Sequence, residues 1–196
     1  MNEEQFIRKI KLMIRANEGY RNYVYKDSRD YLTMGTGHRL TDEEKLQYKE
    51  GDIVDDKYLE KLFEKDFERH YKRARQIDGY DTLTLQQKAA LIDLTFNMGV
   101  NWTKKFPNLI DNVRKAGLET NPTLKKIYMK EAAGELRYVN AREGNFTESK
   151  YFTQVPSRAM DNFNRLMNIN DDWDLEEVSY QQELGGLDEQ EENLAF

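Results

Sequence analysis

The spacing of hydrophobic residues near the start of the chain predicts a helix followed by a small sheet. Residues 4 to 16 carry apolar side chains at helical spacing, and this apolar face stops beside Glu18. Residues 20 to 33 are rich in residues that favour strands, with a polar turn at residues 27 to 30. We therefore expect Glu18 at the C-terminal end of a helix, directly before a short antiparallel sheet.

Two helices of different length are predicted after the sheet. A capping box formed by Thr41 and Glu44 begins the first, and Gly51 is its expected end. Apolar side chains then recur every three or four positions from residue 56 to residue 77, which predicts a helix with one heavily charged face. A helix of that length can link two lobes of a protein.

The following residues are expected to form helices around one buried helix. Thr84 begins a second capping box, and apolar residues between 89 and 98 occupy nearly the whole circumference of the helix that follows. Shorter amphipathic helices begin near Pro107, Pro122 and Pro156, where proline costs little. The predicted fold class is α+β and mainly α, with three parts: an N-terminal lobe over residues 1 to 55, a connecting helix over residues 56 to 77 and an all-helical C-terminal lobe over residues 78 to 169.

The composition excludes several kinds of site. The 196 residues include no cysteine, so disulfides, thiol nucleophiles and thiolate metal sites are excluded. The N-terminal residues are typical of an amphipathic helix rather than a signal peptide, and no segment approaches the roughly 20 apolar residues of a membrane span. We expect no membrane insertion, no metal and no other cofactor.

Charge is distributed unevenly along the chain. Residues 170 to 196 contain ten acidic residues and no Lys or Arg, so the net charge of −6 divides into −10 on this acidic tail and +4 on residues 1 to 169. A basic body suits anionic polymers, which include nucleic acid and the polymers of bacterial envelopes. The tail has no sustained periodicity, so we expect it to be disordered or ordered only against a partner.

Glu18 and Asp27 form a candidate pair of catalytic acids. Cleavage of a glycosidic bond generally needs one protonated carboxyl group and one ionised carboxylate. Glu18 ends a helix, where the helix dipole disfavours its ionised form, and Asp27 lies in the hairpin that follows. In a chain with 36 acidic residues, these observations alone favour the simpler interpretation of a surface Glu and a turn-forming Asp.

A resemblance to the T-even phage lysozymes begins at residues 17 to 38, which read NEGYRNYVYKDSRDYLTMGTGH. The family pattern is Glu-Gly, an aromatic or aliphatic run, Tyr-Lys-Asp, then Thr-x-Gly-x-Gly-His. Further matches follow in chain order: KLFEKD at residues 61 to 66, FNMG at 96 to 99 followed by Phe106, and YFTQVPSRA at 151 to 159. Four motifs in order imply a lysozyme-like fold and catalytic domain over residues 1 to 169.

The resemblance also implies roles for the residues that match the family pattern. Glu18 would be the general acid, while Asp27 and Thr33 would hold and deprotonate the attacking water. A water between Asp27 and the sugar implies inversion at the anomeric carbon. His38 resembles a structural histidine of the family, with Asp66 as its ion-pair partner.

Six further residues are expected to line or support the substrate groove: Gly35, Gly37, Arg39, Phe96, Asn97 and Arg158. The glycines allow close approach of sugar or of neighbouring chain, and Phe96 is more typical of core than of a sugar platform. Arg158 matches an arginine that faces the catalytic glutamate and favours its ionised form, so other effects must oppose it. Arg39 and Asn97 depart from the family pattern, which has an aliphatic residue and a glutamine there.

The implied function is an N-acetylmuramidase that hydrolyses the β-1,4 bond between N-acetylmuramic acid and N-acetylglucosamine in bacterial peptidoglycan. A lytic transglycosylase is an alternative, although it needs no water-activating carboxylate. A non-catalytic wall-binding or virion structural descendant would be expected to lose Glu18 or Asp27. A nucleic-acid partner is not expected, because no zinc-finger spacing, basic-region helix or aromatic RNA-binding motif is present.

The expected setting is that of a monomeric phage product made in the cytoplasm of the bacterial host without a signal peptide. Such an enzyme reaches the wall through a membrane pore or with the virion. The acidic tail over residues 170 to 196 is a candidate docking segment for a virion or lysis partner.

Overall fold

The computed structural model describes residues 1 to 138 and 146 to 168 as helices around a three-stranded antiparallel sheet near the N-terminus. The fold is α+β and mainly α, as the hydrophobic pattern predicts. The acidic tail lies outside the described residues. The disorder and the docking that the sequence suggests for the tail therefore stay predictions.

Helix α1 (Glu3–Glu18) leads into the sheet. Its N-terminus is held by a capping box in which Asn2 and Gln5 exchange side-chain and backbone hydrogen bonds. The three strands, in sheet order, are β1 (Arg21–Lys26), β2 (Leu32–Gly35) and β3 (His38–Arg39). Glu18 is therefore the last residue of its helix, and two residues separate it from the hairpin that carries Asp27.

The sheet packs on a small core of its own, and a long helix joins this core to the larger one. Helix α2 (Asp42–Gln47) comes first, followed by α3 (Asp56–Arg75). Leu59 and Leu62 of α3 belong to the small core, while Phe63 and Phe67 of the same helix belong to the large core. Neighbouring residues of one helix, such as Leu62 and Phe63, thus tie the two cores together.

Two predicted helix ends differ from the structure. Helix α2 ends at Gln47, because Tyr48 adopts an extended backbone, and the predicted stop at Gly51 is wrong. Gly51 lies in a turn, and the backbone N–H of Gly51 donates to the carbonyl of Val24 in β1. Helix α3 ends at Arg75 rather than at residue 77, where the chain turns towards a short 3-10 helix.

Helix α4 (Leu85–Met98) is the buried helix of the larger core. It begins at the predicted Thr84 capping box and packs against α1, α3 and helix α8 (Pro156–Met167). The remaining elements are 3-10 helices at Tyr80–Thr82 and Trp102–Lys104 and the helices α5 (Pro107–Leu118), α6 (Pro122–Arg137), α7 (Lys150–Gln154) and α8 (Pro156–Met167). Within residues 1 to 138 and 146 to 168, no helix is long and apolar enough to cross a membrane.

Candidate active site

Glu18 lies where the end of α1 meets α8 and the turn between β2 and β3. Its side chain is 20% exposed, and its Oε1 accepts a hydrogen bond of 2.6 Å from Nη1 of Arg158. Gly37 lies on the other side, where an added Cβ would come within 3.5 Å of Glu18 Oε2. The carboxyl group is thus oriented by Arg158 of a helix distant in sequence, lies close to the turn at Gly37 and still reaches solvent.

Arg158 is the centre of a buried polar network. Its Nε and Nη2 donate to the two carboxylate oxygens of Asp93 at 2.9 and 2.7 Å, while its third nitrogen reaches Glu18. Asp93 is fully buried in α4 and also accepts a hydrogen bond from Asn162. Burial opposes the charged form of Arg158, but the two carboxylates outweigh it and raise the pKa of Arg158 above its usual value.

Asp27 is held in an ionised form by the turn of the β1–β2 hairpin. Its Oδ1 accepts hydrogen bonds from the backbone N–H groups of Arg29 and Tyr31, and its Oδ2 lies 3.2 Å from Nη2 of Arg39. Burial acts to raise the pKa of Asp27, but the donors from Tyr31 and Arg29 and the charge of Arg39 outweigh it, so the pKa is lowered. The two candidate acids therefore occupy different environments.

Thr33 is linked to Asp27 through the backbone of Tyr31. The carbonyl of Tyr31 accepts hydrogen bonds from the N–H of Asp27 and from the hydroxyl of Thr33, at 2.9 and 3.0 Å. Thr33 is buried in β2, opposite Tyr25 in the sheet. Because its hydroxyl proton is used in this bond, its oxygen is available as an acceptor for a further donor such as water.

His38 joins three elements rather than the two expected from the sequence. The expected pair is present, with His38 Nδ1 2.6 Å from Asp66 Oδ2 of α3, and Nε2 also lies 2.9 Å from Glu44 of α2. Burial acts to lower the pKa of His38, but the two carboxylates outweigh it and raise the pKa. Glu44 also accepts from Tyr58 and from the Thr41 backbone, and its pKa is lowered to about 2 because these donors and His38 outweigh its burial.

The remaining predicted groove residues occupy mixed positions. Gly35 has a φ of +60°, and an added Cβ would come within 3.1 Å of Leu59, so its close approach is to helix α3 rather than to open space. Phe96 is half-buried beside the large core and packs with its ring centroid 4.8 Å from that of His70, which agrees with the favoured core assignment. Asn97 is half-buried near the end of α4.

Asp93, Asn162 and Glu44 contact predicted site residues and were not identified from the sequence. A signal for Asp93 was available, because an acid in a helix that is apolar around its circumference must find a partner when buried. Glu44 was identified only as a capping residue. Asn162 carries no comparable signal, since an asparagine on an amphipathic helix is ordinary.

No group of three or more His, Cys, Asp or Glu side chains suited to a metal ion occurs in the described ranges. The chemistry that the described residues offer is that of carboxyl groups, a threonine hydroxyl and guanidinium groups. Such groups suit general acid–base catalysis.

Comparison with known proteins places these residues in a family. The sequence model of the family described as phage lysozyme matches residues 15 to 145, which include Glu18, Asp27 and Thr33. A relative from Dictyostelium discoideum, named "Probable T4-type lysozyme 1", is 32% identical over 113 residues, or 47% of this chain. The match spans 66% of that relative, just under two thirds of its length. Since the family model covers well over half of the residues, the chain belongs to the phage lysozyme family.

Proposed function

We propose that the protein is a lysozyme that hydrolyses the β-1,4 bond between N-acetylmuramic acid and N-acetylglucosamine in bacterial peptidoglycan. The observation that carries the proposal is the placement of Glu18 and Asp27 in different environments beside one hairpin. Glu18 lies at a helix C-terminus with part of its carboxyl group exposed, whereas Asp27 accepts two backbone N–H groups and pairs with Arg39. Family membership supports a glycoside hydrolase of this kind.

In this proposal Glu18 protonates the leaving glycosidic oxygen. The C-terminal end of α1 presents carbonyl groups, whose dipole favours the neutral form of a nearby carboxyl group. Asp27 is the base, because its hydrogen bonds stabilise the ionised form that removes a proton from water. The Thr33 oxygen accepts a hydrogen bond from the second O–H of the same water and so orients the water.

Inversion at the anomeric carbon follows from a water placed between Asp27 and the sugar. The two carboxyl groups of an inverting enzyme are about 6.5 to 9.5 Å apart, whereas those of a retaining enzyme are about 5 to 5.5 Å apart. NMR of the reducing-end anomer formed first from a soluble oligosaccharide measures the outcome directly. We expect the α-anomer; a β-anomer, or a glycosyl adduct on Asp27 detected by mass spectrometry, would contradict inversion.

The product of peptidoglycan digestion tests the reaction class. Purified peptidoglycan is digested with the protein, and the new ends are identified by mass spectrometry. Reducing N-acetylmuramic acid ends mean hydrolysis, whereas 1,6-anhydro ends mean a lytic transglycosylase. No new ends, with retained binding to the wall, mean a non-catalytic descendant.

The Glu18→Gln variant tests the assignment of the acid. The amide cannot donate the catalytic proton, so we expect a loss of about 10² to 10⁴ in rate with an unchanged circular dichroism spectrum and Tm. Glu43→Gln, which removes an exposed acid from α2, is the matched control and should keep full activity. Wall clearing by Glu18→Gln at the wild-type rate would reject Glu18 as the acid.

We further propose that the enzyme is a phage product that acts at the wall of its bacterial host, after release through a membrane pore or delivery with the virion. This setting is the one that the resemblance to the T-even phage lysozymes implies. Mass spectrometry of purified virions separates the two routes, because a virion enzyme copurifies with particles at fixed stoichiometry. Docking to a virion or lysis protein is one proposed role of residues 170 to 196, and competition with substrate is the other.

A further inference from the structure

The contact between Glu18 and Arg158 raises a problem for a proton donor. A guanidinium 2.6 Å from a carboxyl oxygen favours the ionised carboxylate, yet general acid catalysis needs the protonated form. Arg158 is itself only 7% exposed, so solvent screens its charge weakly. Some other group must offset the charge of Arg158 if Glu18 is to keep its proton.

Asp93 lies where its carboxylate can offset the charge of Arg158. Its two oxygens accept from Nε and Nη2 of Arg158 at 2.9 and 2.7 Å, which is the bidentate geometry of the strongest arginine–carboxylate pairs. Glu18 accepts a hydrogen bond only from the remaining nitrogen, Nη1. The pair formed by Arg158 and Asp93 is neutral, so protonated Glu18 completes a neutral group, whereas ionised Glu18 adds one negative charge beside this buried pair, although Glu18 itself is 20% exposed.

Asp93 is also fixed in place. It is fully buried in α4, and Oδ2 accepts a hydrogen bond of 2.6 Å from Asn162 of α8. The same amide group of Asn162 contacts the hydroxyl of Tyr151, and the amide oxygen accepts from Arg165. This set of hydrogen bonds holds the carboxylate on the side of Arg158 that faces away from Glu18.

The other charged or titratable groups near Glu18 do not replace Asp93. From α3, His70 lies close, but its Nδ1–H donates to the carbonyl of Asp66, and burial lowers the pKa of His70, so the ring is neutral near pH 7. From β1, Tyr25 lies close, and burial raises the pKa of Tyr25, so its phenol is also neutral. Of these four groups, Arg158 and Asp93 are the two that are charged near pH 7 and in direct contact with each other.

We propose that Asp93 is a positioning residue: its carboxylate holds and balances the guanidinium of Arg158, so that Glu18 carries a proton while hydrogen-bonded to an arginine. This inference rests on the proposed role of Glu18 as the general acid. Asp93 touches neither the sugar nor the attacking water in this scheme and acts through Arg158 alone.

The test is the pH dependence of the Asp93→Asn variant. Asparagine keeps the size of the side chain and one acceptor but removes the charge, which leaves Arg158 free to favour ionised Glu18. The alkaline limb of the kcat/KM profile on a soluble peptidoglycan fragment should move to lower pH by about one unit or more. At pH values above the shifted limb, kcat/KM of the variant falls about tenfold per pH unit. At pH values below the limb, kcat/KM stays close to wild type.

NMR supplies a readout that does not depend on activity. Protein labelled with ¹³C at the glutamate carboxyl groups is titrated, and the Glu18 signal is assigned by its absence from Glu18→Gln. The Glu18 titration should move to lower pH in Asp93→Asn and to higher pH in Arg158→Gln. The double variant Asp93→Asn with Arg158→Gln removes both charges and should titrate between the two single variants.

The matched control is Asp161→Asn, which removes an exposed acid from α8 three residues after Arg158 and should leave the titration unchanged. If Asp93→Asn does not fold, the double variant must still titrate at lower pH than Arg158→Gln. The inference is overturned if Glu18 titrates at the same pH in the double variant and in Arg158→Gln. It is also overturned if the shift in Asp93→Asn is no larger than the shift in Asp161→Asn. Activity retained by Glu18→Gln would instead reject the proposed function and leave the titration result standing.

Discussion

The contact between Asp27 and Arg39 is the point at which a single residue most changes the proposed chemistry. The resemblance to the T-even phage lysozymes implies an aliphatic residue at position 39. Here the guanidinium lies 3.2 Å from Asp27 Oδ2 and stacks 4.4 Å from the centroid of the Tyr31 ring. Arg39 therefore adds a positive charge to the carboxylate that is proposed to activate water.

We expect Arg39→Gln to move the acidic limb of the pH–activity profile to higher pH. Asp27 must be ionised to act as a base, so the acidic limb follows the pKa of Asp27, which Arg39 helps to lower. The shift should be small, because Arg39 is half exposed and the backbone donors from Arg29 and Tyr31 remain. It is measured as kcat/KM against pH at low ionic strength.

Salt and a neighbouring arginine provide the controls for this variant. The difference from wild type should shrink at high ionic strength, because an exposed pair is screened. Arg29→Gln removes a charge from the same turn but keeps the backbone N–H that Asp27 accepts, so its shift should be smaller. An acidic limb that stays in place at low salt would show that Arg39 does not act on Asp27.

Between elements, the contacts of His38 with Glu44 and Asp66 connect β3, α2 and α3 and should make stability depend on pH. The raised pKa of His38 means that its contribution is full below about pH 6.5 and is lost as pH rises through the folded value. The pKa of Glu44, lowered from 4.5 to about 2, means that its contribution is full above about pH 4.5 and is lost as pH falls through about 2. Both contributions are full between about pH 4.5 and 6.5.

We expect Glu44→Gln to lower the free energy of unfolding by about 1 to 2 kcal/mol at pH 5.5, with a smaller loss above the folded pKa of His38. Glutamine also forms capping boxes, so its amide oxygen can keep the contacts of Oε2 with Thr41 and His38, while the charge and the acceptor that Oε1 offers to Tyr58 are lost. Urea unfolding at several pH values measures the effect. Asp42→Asn, in the same helix but fully exposed, is the control, and equal pH profiles for the two variants would contradict the prediction.

The packing of α5 against the chain before α4 depends on two glycines. A Cβ added to Gly117 would lie 2.3 Å from the Cα of Gly79, whose own φ is +84°. Alanine normally stabilises a helix relative to glycine by up to about 1 kcal/mol. Here we expect Gly117→Ala to destabilise the protein by about 1 to 3 kcal/mol, because backbone must move to admit the methyl group.

Gly134 of α6 is the matched control for this substitution. A Cβ added there meets nothing within 4 Å, so Gly134→Ala should raise stability by up to about 1 kcal/mol. Thermal and urea unfolding of both variants give the comparison. Stabilisation by both alanines would show that the contact between Gly79 and Gly117 relaxes without cost.

The elements that the sequence predicts well are those whose signals are local. Capping boxes at Thr41 and Thr84 and prolines at 107, 122 and 156 place helix starts where the structure has them. Helix α7 was not predicted, because five residues are too few to show a periodicity. The predicted helix end at Gly51 is wrong because a glycine with positive φ is as suitable for a turn as for a helix end.

For the whole molecule, the least predictable part of the site is the part built from residues far apart in sequence. Asp93 and Arg158 are 65 positions apart, and Glu18 and Arg158 are 140 apart. The resemblance implies that Arg158 faces Glu18, but the carboxylate of Asp93 that balances Arg158 lies on a buried helix that the sequence pattern indicates as apolar. Pairing between distant buried charges is a property of packing, which a linear pattern does not contain.

At the same scale, the division of charge between body and acidic tail leads to the last prediction. The tail carries −10 and residues 1 to 169 carry +4, and the proposed substrate is an anionic polymer. Attraction of this kind acts over the Debye length, about 10 Å at 0.1 M salt and about 30 Å at 0.01 M. We expect the tail to compete with substrate for the basic body, so that truncation after Asn168 raises activity at low salt.

The measurement is wall clearing by the full chain and the truncated chain over a range of salt concentrations. Competition by the tail predicts an advantage for the truncated enzyme that shrinks as ionic strength rises. A full-length variant with the ten tail acids changed to Asn and Gln keeps the length of the chain and should behave like the truncation if charge is the cause. Equal activity at all salt concentrations contradicts competition, and loss of a copurifying virion or lysis protein on truncation would instead identify residues 170 to 196 as a docking segment.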